Sequence, residues 1–302
     1  ESEARLIAAE DDGTLDPAYA ALLLRFLDAE DDTHEPVATP DPAALARLSP
    51  LAWAMLEAVG DYVPSYLLPI AFAHADLRGT IGWRGQIEAA ERLVRAGALP
   101  PNRLLGLYTE RAAAASGGIW ERVRAVQALE AALAADNTGA VGAALVRAWP
   151  HFVSGELEVP FALLYAEALR THDLTGAAAE IAFLTGLLSP DYEVVALSAG
   201  AAGGRMGALV ALARGMPPPV GNGALESALA DAFADPPPLS AQAAALLADA
   251  RPGEAVLTAL VALGDPGDLR HLTESLAVLR AVGLEDSARR TALQLMLLER
   301  RG

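Results

Sequence analysis

The chain has 302 residues and a net charge of −17, contains no cysteine, and draws all 22 of its basic residues from arginine. Disulfides, thiol catalysis and thiolate metal sites are excluded, as is any Schiff-base or P-loop chemistry that needs a lysine. The acidic balance argues against non-specific binding to nucleic acid or to an anionic membrane. Hydrophobic residues make up 53% of the chain and are mostly alanine and leucine, whereas aromatics reach only 5%. Strong helix formers without β-branched or aromatic runs predict an all-α protein with no sheet.

Residues 1–36 carry eleven acids against Arg5 and Arg25. Acidic triplets flank an apolar helix predicted over Pro17 to Leu27, whose Leu22, Leu23, Phe26 and Leu27 are available to pack. This helix is expected to fold back onto the early helical hairpins, with Glu30 to Asp32 left in solvent. A proline-bearing linker, His34 to Pro42, separates this segment from a helical-repeat domain over 37–302, with a possible sub-boundary at 215–222. Helices follow at 42–48 and 50–59.

The zone 61–124 differs in kind. It holds eight arginines against six acids, a net positive stretch in an acidic chain. Tyr62, Tyr66, His74, Asp76, Arg78, Trp83, Arg84, Tyr108, Trp120 and Arg122 are the candidate binding residues, because aromatics and arginine dominate binding hot spots. A helix is expected over Gln86 to Ala96, then the turn Gly97-Ala98-Leu99-Pro100-Pro101, then a helix from Asn102. The same grammar recurs at Gly13-Thr14-Leu15-Asp16-Pro17 and at Gly186-Leu187-Leu188-Ser189-Pro190. In each, glycine takes the left-handed conformation that closes one helix, the following leucine packs back, and Asp16 or Ser189 caps the next. Glu88–Arg92 and Glu91–Arg95 are spaced as i,i+4 ion pairs on a solvated face.

From Gly118 a helix to Ala134 places Ile119, Val123, Val126, Leu129 and Leu133 on one stripe. Helices are expected at 139–149, 160–170, 177–187, 191–198, 205–214, 223–234, 240–249, 253–263, 268–282 and 285–300. Met216-Pro217-Pro218-Pro219 and Asp235-Pro236-Pro237-Pro238 are the strongest breakers. The expected helices, joined by short turns and with no strict period, suggest an irregular stack of helical hairpins resembling an α-solenoid or superhelix. With its Ala-rich helical text, the chain also resembles helical proteins encoded in alphaproteobacterial genomes such as those of Rhodobacter relatives. That resemblance brings no catalytic motif.

Candidate chemistry is sparse. His151 with His172-Asp173 is similar in outline to the metal set of helical HD-type phosphohydrolases. Pro150 precedes the first histidine and no Gly-Lys follows the pair, so His172-Asp173 reads better as a helix end and cap, and no metal or cofactor is expected. His74, Asp76 and Arg78 follow the apolar run Leu67 to Ala73, where Asp76 can orient the imidazole across a turn or simply cap. Gly200 to Gly207 lacks phosphate-loop spacing, and no serine sits in a nucleophile elbow. The predicted function is a non-enzymatic helical scaffold that binds a protein or peptide partner. The alternative is an enzyme or accessory acting on an anionic cell-wall glycan, by analogy with the superhelices of lytic transglycosylases. The lack of methionine at position 1 and of cysteine leans towards a periplasmic rather than a cytoplasmic protein. No apolar zone is continuous enough to span a membrane, since Arg205 and Arg214 interrupt Val194 to Gly215.

Overall fold

The computed structural model describes residues 68–78, 82–200, 203–219, 221, 223–263 and 268–298. The acidic segment with its Pro17–Leu27 helix, the linker, the helices at 42–48 and 50–59, and Tyr62 and Tyr66 lie outside the described residues. Among the described residues there are fourteen helices and no strand. The chain divides into two compact units, Glu1–Ala131 with Ser154–Pro160, and Ala132–Val153 with Phe161–Gly302.

In the first unit, α1 (Leu68–Arg78) packs along α2 (Gly82–Arg95), and α2 packs on α3 (Pro101–Glu110). Ile87, Ala90, Glu91 and Val94 recur at helical spacing on the buried side of α2, beside Ala89 and Leu93. The turn after α2 follows the expected grammar. Gly97 takes φ +68°, the Ala98 amide reaches back to the Leu93 carbonyl at 2.8 Å, and Leu99 packs on the cluster of Ala73, Ala89 and Leu93. Pro101 then opens α3, where a missing amide costs nothing. The fourth helix, α4 (Ile119–Ala134), buries Ile119, Val123, Val126 and Leu129 as its periodicity predicts. Arg95 donates to the Gly155 carbonyl at 2.8 Å and so ties the Ser154–Pro160 segment into this unit.

The second unit takes in α5 (Thr138–Ser154) up to Val153 and α6 (Glu158–Arg170) from Phe161. Asn137 starts α5 by accepting the Ala140 amide at 2.9 Å. The helix does not stop before Pro150, as the sequence suggested, but carries the proline inside it and continues to Ser154. The aromatic contacts of Phe161 explain why: its ring lies 4.6 Å from Phe152, 4.8 Å from Tyr165 and 5.6 Å from Trp149. The contacts with Phe152 and Trp149 reach α5 and add about 0.5–1.5 kcal/mol each beyond burial, which with the full burial of Phe152 offsets the roughly 3 kcal/mol cost of an internal proline, whereas the contact with Tyr165 lies within α6.

Helix α7 (Gly176–Leu187) leads to the short α8 (Tyr192–Ser198). Gly186 does not close α7 in the left-handed conformation but remains within it. A Cβ at Gly186 would lie 2.7 Å from a Val195 methyl, so the glycine lets α8 approach α7 closely. Ser189 stands just before α8, where its hydroxyl accepts the Asp191 amide at 3.1 Å and donates to the Gly186 carbonyl at 2.7 Å. His172 lies in the turn after α6, with Nδ1 3.3 Å from the Thr138 hydroxyl and 4.0 Å from the Asp136 carboxylate.

Helices α9 (Gly204–Ala213), α10 (Ala224–Ala232), α11 (Ala241–Ala248), α12 (Pro252–Leu263), α13 (Leu269–Ala281) and α14 (Glu285–Leu297) complete the unit. The two polyproline breakers fall between α9 and α10 and between α10 and α11, as expected. Neighbours in the chain pack together through α11, α12, α13 and α14, but α14 also returns against α9, and α10 lies along α13. Leu212, Leu229, Phe233, Leu276, Ala288 and Leu293 form the shared core. Two arginines fasten it. Arg280 donates to the carbonyls of Ala232 and Ala234 at 2.8 and 2.9 Å, covers the Phe233 ring, and binds Glu285 at 3.1 Å. Arg289 binds Glu285 and Glu193, its guanidinium lying where a Cβ on Gly215 would be.

Candidate functional site

The described candidate residues of the first unit fall into two groups. Trp83, Tyr108, Trp120 and Arg122 gather where α2, α3 and α4 meet. Leu104 and Tyr108 are one turn apart on the buried side of α3, and Ile119, Arg122 and Val126 share the inner side of α4. At their centre is Glu91, only 3% exposed. It is not the solvated partner of Arg95 that its spacing suggested. Arg122 grips it with both arms, Nε to Oε1 and Nη2 to Oε2, each at 2.8 Å. The buried Tyr108 hydroxyl donates to Oε1 at 2.7 Å. The geometry is the two-pronged guanidinium–carboxylate fork, which pairs the charges while satisfying their hydrogen bonds.

Burial pushes the Tyr108 phenol well above its ordinary value, and the Glu91 charge pushes it further. Burial works against the Arg122 charge, but the hydrogen bonds and charge of Glu91 outweigh it and hold the guanidinium protonated. Neither group is poised to move a proton near neutrality; the cluster is a lock. Around it, Trp83 donates to the Leu107 carbonyl at 3.0 Å and its ring lies 5.1 Å from Trp120. The Arg111 guanidinium stands 6.0 Å above Trp83. Gln127 on α4 holds the carbonyls of Tyr108 and Arg111 at 2.9 and 2.7 Å, closing the end of α3.

His74, Asp76, Arg78 and Arg84 form the second group. The first three lie within α1 rather than across a turn after it, so no cap or turn-borne dyad forms. Arg78 donates to the His74 carbonyl at 3.2 Å, Asp76 accepts from Arg92 on α2 at 2.8 Å, and Arg84 pairs with Glu88 at 2.8 Å. Arg92 is therefore bound to Asp76 and not to Glu88.

The chain matches no family model, no curated protein and no solved structure.

Elsewhere, among the described residues, no three His, Asp or Glu side chains come together to hold a metal ion, and no helix is long and apolar enough to cross a membrane. One surface stands out in the second unit. The outer side of α12 presents Leu257, Leu260 and Val261, which are 65%, 50% and 79% exposed. Their i, i+3, i+4 spacing puts them on one face, opposite the buried Ala255 and Ala259. The sequence carried a signal for it: α12 is apolar almost all round, a pattern that only a helix covered on both sides satisfies.

Proposed function

We propose that the chain is a non-enzymatic scaffold of helical hairpins that binds a protein partner. The outer face of α12 carries this reading. Three large aliphatic side chains held in water on adjacent turns are costly, each worth roughly 1.5–3 kcal/mol when buried, and a contiguous patch of this kind marks an interaction surface. The face supports the reading more strongly than the aromatic set of the first unit. Trp83, Tyr108 and Trp120 use much of their surface on one another and on neighbouring backbone.

Affinity capture from cells tests it, comparing the unaltered chain with the double variant Leu257→Asp and Val261→Asp. Both positions are exposed, so the thermal unfolding of the variant stays close to that of the parent. The expected outcome is a defined set of co-purifying proteins that the double variant no longer retains. Equal recovery by the parent and a folded variant would overturn the scaffold reading of this face.

A further inference from the structure

An open groove of about 520 Å³ lies in the second unit between α10, the start of α11, and α13. Ala228, Leu239 and Leu269 give it an apolar floor, and Thr273 at its side is already committed, donating towards the carbonyls of Ala228 and Leu269. A smaller hollow of about 140 Å³ opens on the other side, between α11, α12 and α13. Glu274 lines both. Glu274 is half-buried, and among the described residues it makes no hydrogen bond or ion pair, nor does the exposed Asp231 at the same groove. Among the described residues lining the groove the one cation is Arg270, whose side chain is 91% exposed and faces Asp268 at 3.6 Å. That same carboxylate lies 3.7 Å from His271.

We propose that this groove receives an arginine side chain of the partner. The inference rests on the scaffold reading and names the chemistry that the partner presents. Arginine joins a long apolar stem to a planar cation, and the groove offers a counterpart to each, an apolar lining and an unpaired carboxylate. The stem lies along Leu239 and Leu269, the guanidinium meets Glu274, and Asp231 at the mouth favours its approach. The net charge of −17 steers such a partner towards the chain. An acidic partner would have to anchor on Arg270, which is solvated and already beside Asp268, while meeting two free carboxylates.

The full chain is titrated with N-acetyl-leucyl-arginine amide, with its citrulline analogue, which keeps the shape and lacks the charge, and with its glutamate analogue. Backbone amide resonances report the site. The arginine probe is expected to shift the amides of Ser227, Thr273 and Glu274, and the citrulline probe to bind about tenfold more weakly. Glu274→Gln is expected to abolish that preference without changing thermal unfolding, and Asp231→Asn to reduce it about threefold. The proposal is overturned if these amides do not move, if citrulline binds as well as arginine, if the glutamate probe binds better, or if Glu274→Gln retains the preference. Failure here with capture through α12 intact removes the groove and leaves the scaffold. Selective arginine binding with α12-independent capture removes the scaffold reading instead.

Discussion

At the scale of single residues, Glu91 decides the interior of the first unit. Its two oxygens are shared by Arg122 and Tyr108, so its removal leaves the Arg122 guanidinium without its carboxylate and takes from the Tyr108 hydroxyl the acceptor at 2.7 Å. Glu91→Ala is expected to cost about 3–5 kcal/mol, the range for breaking one side of a buried pair. Replacing Glu91, Tyr108 and Arg122 together by Leu, Phe and Met is expected to recover most of that loss, because no unpaired charge then remains. Denaturant unfolding checks both; a triple variant no more stable than Glu91→Ala would refute this account. Tyr192 allows a pH test in the second unit. Burial and its bond to Asp286 push its phenol up to about 12. The unfolded phenol ionises near pH 10, so the stabilisation is complete below that and is lost as pH rises from about 10 to 12. Tyr192→Phe should flatten this fall in a urea titration across the window, and an unchanged profile would contradict the assignment.

At the scale of elements, the contact of α7 with α8 makes the sharpest case. Gly186→Ala sets a methyl against Val195, and the expected loss is about 1–3 kcal/mol, the cost of overpacking. Val195→Ala in the same chain should restore part of it, and additive losses in this double-mutant cycle would rule out the clash. This glycine also shows what the sequence makes legible and what it hides. Helix periodicity located α4 and its inner stripe, and the grammar of Gly97 to Pro101 described a real turn, because both depend on residues a few places apart. Gly186 has the same local text as Gly97, yet a valine from the next helix sets its role. Glu91 shows the same limit. Spacing offered it Arg95 on its own helix, but its partners lie 17 and 31 residues away. The core-facing period from Ile87 to Val94 was the clue that it points inward. Pro150 marks a stop in the local sequence, and the aromatic cluster that carries its helix past that point is tertiary. The groove at Glu274 left no mark in the sequence at all, since it is a space between three helices.

For the whole molecule, charge is the property that the helices do not average away. Arginine pairs answer only part of the acidic excess, so the folded chain repels itself at low ionic strength. Raising sodium chloride from about 10 mM to about 300 mM shortens the screening length to below 10 Å and is expected to raise the urea midpoint. The Glu91–Arg122 fork is buried and screened much less, so Glu91→Ala should lose a similar amount in both buffers. A midpoint that falls with salt would mean that favourable surface pairs, not repulsion, dominate.

The packing of Arg289 against Gly215 bears on how this chain can change over generations. Any side chain at position 215 enters the space that the guanidinium fills, and moving the guanidinium releases Glu193 and leaves Glu285 to Arg280 alone. The four positions therefore drift as a set. A descendant that acquires a side chain at 215 is expected first to have shortened residue 289, and one that shortens 289 leaves the Glu193 carboxylate under pressure to become neutral. Across a lineage, substitution at 215 should trail substitution at 289, even though the two positions are 74 residues apart in the chain.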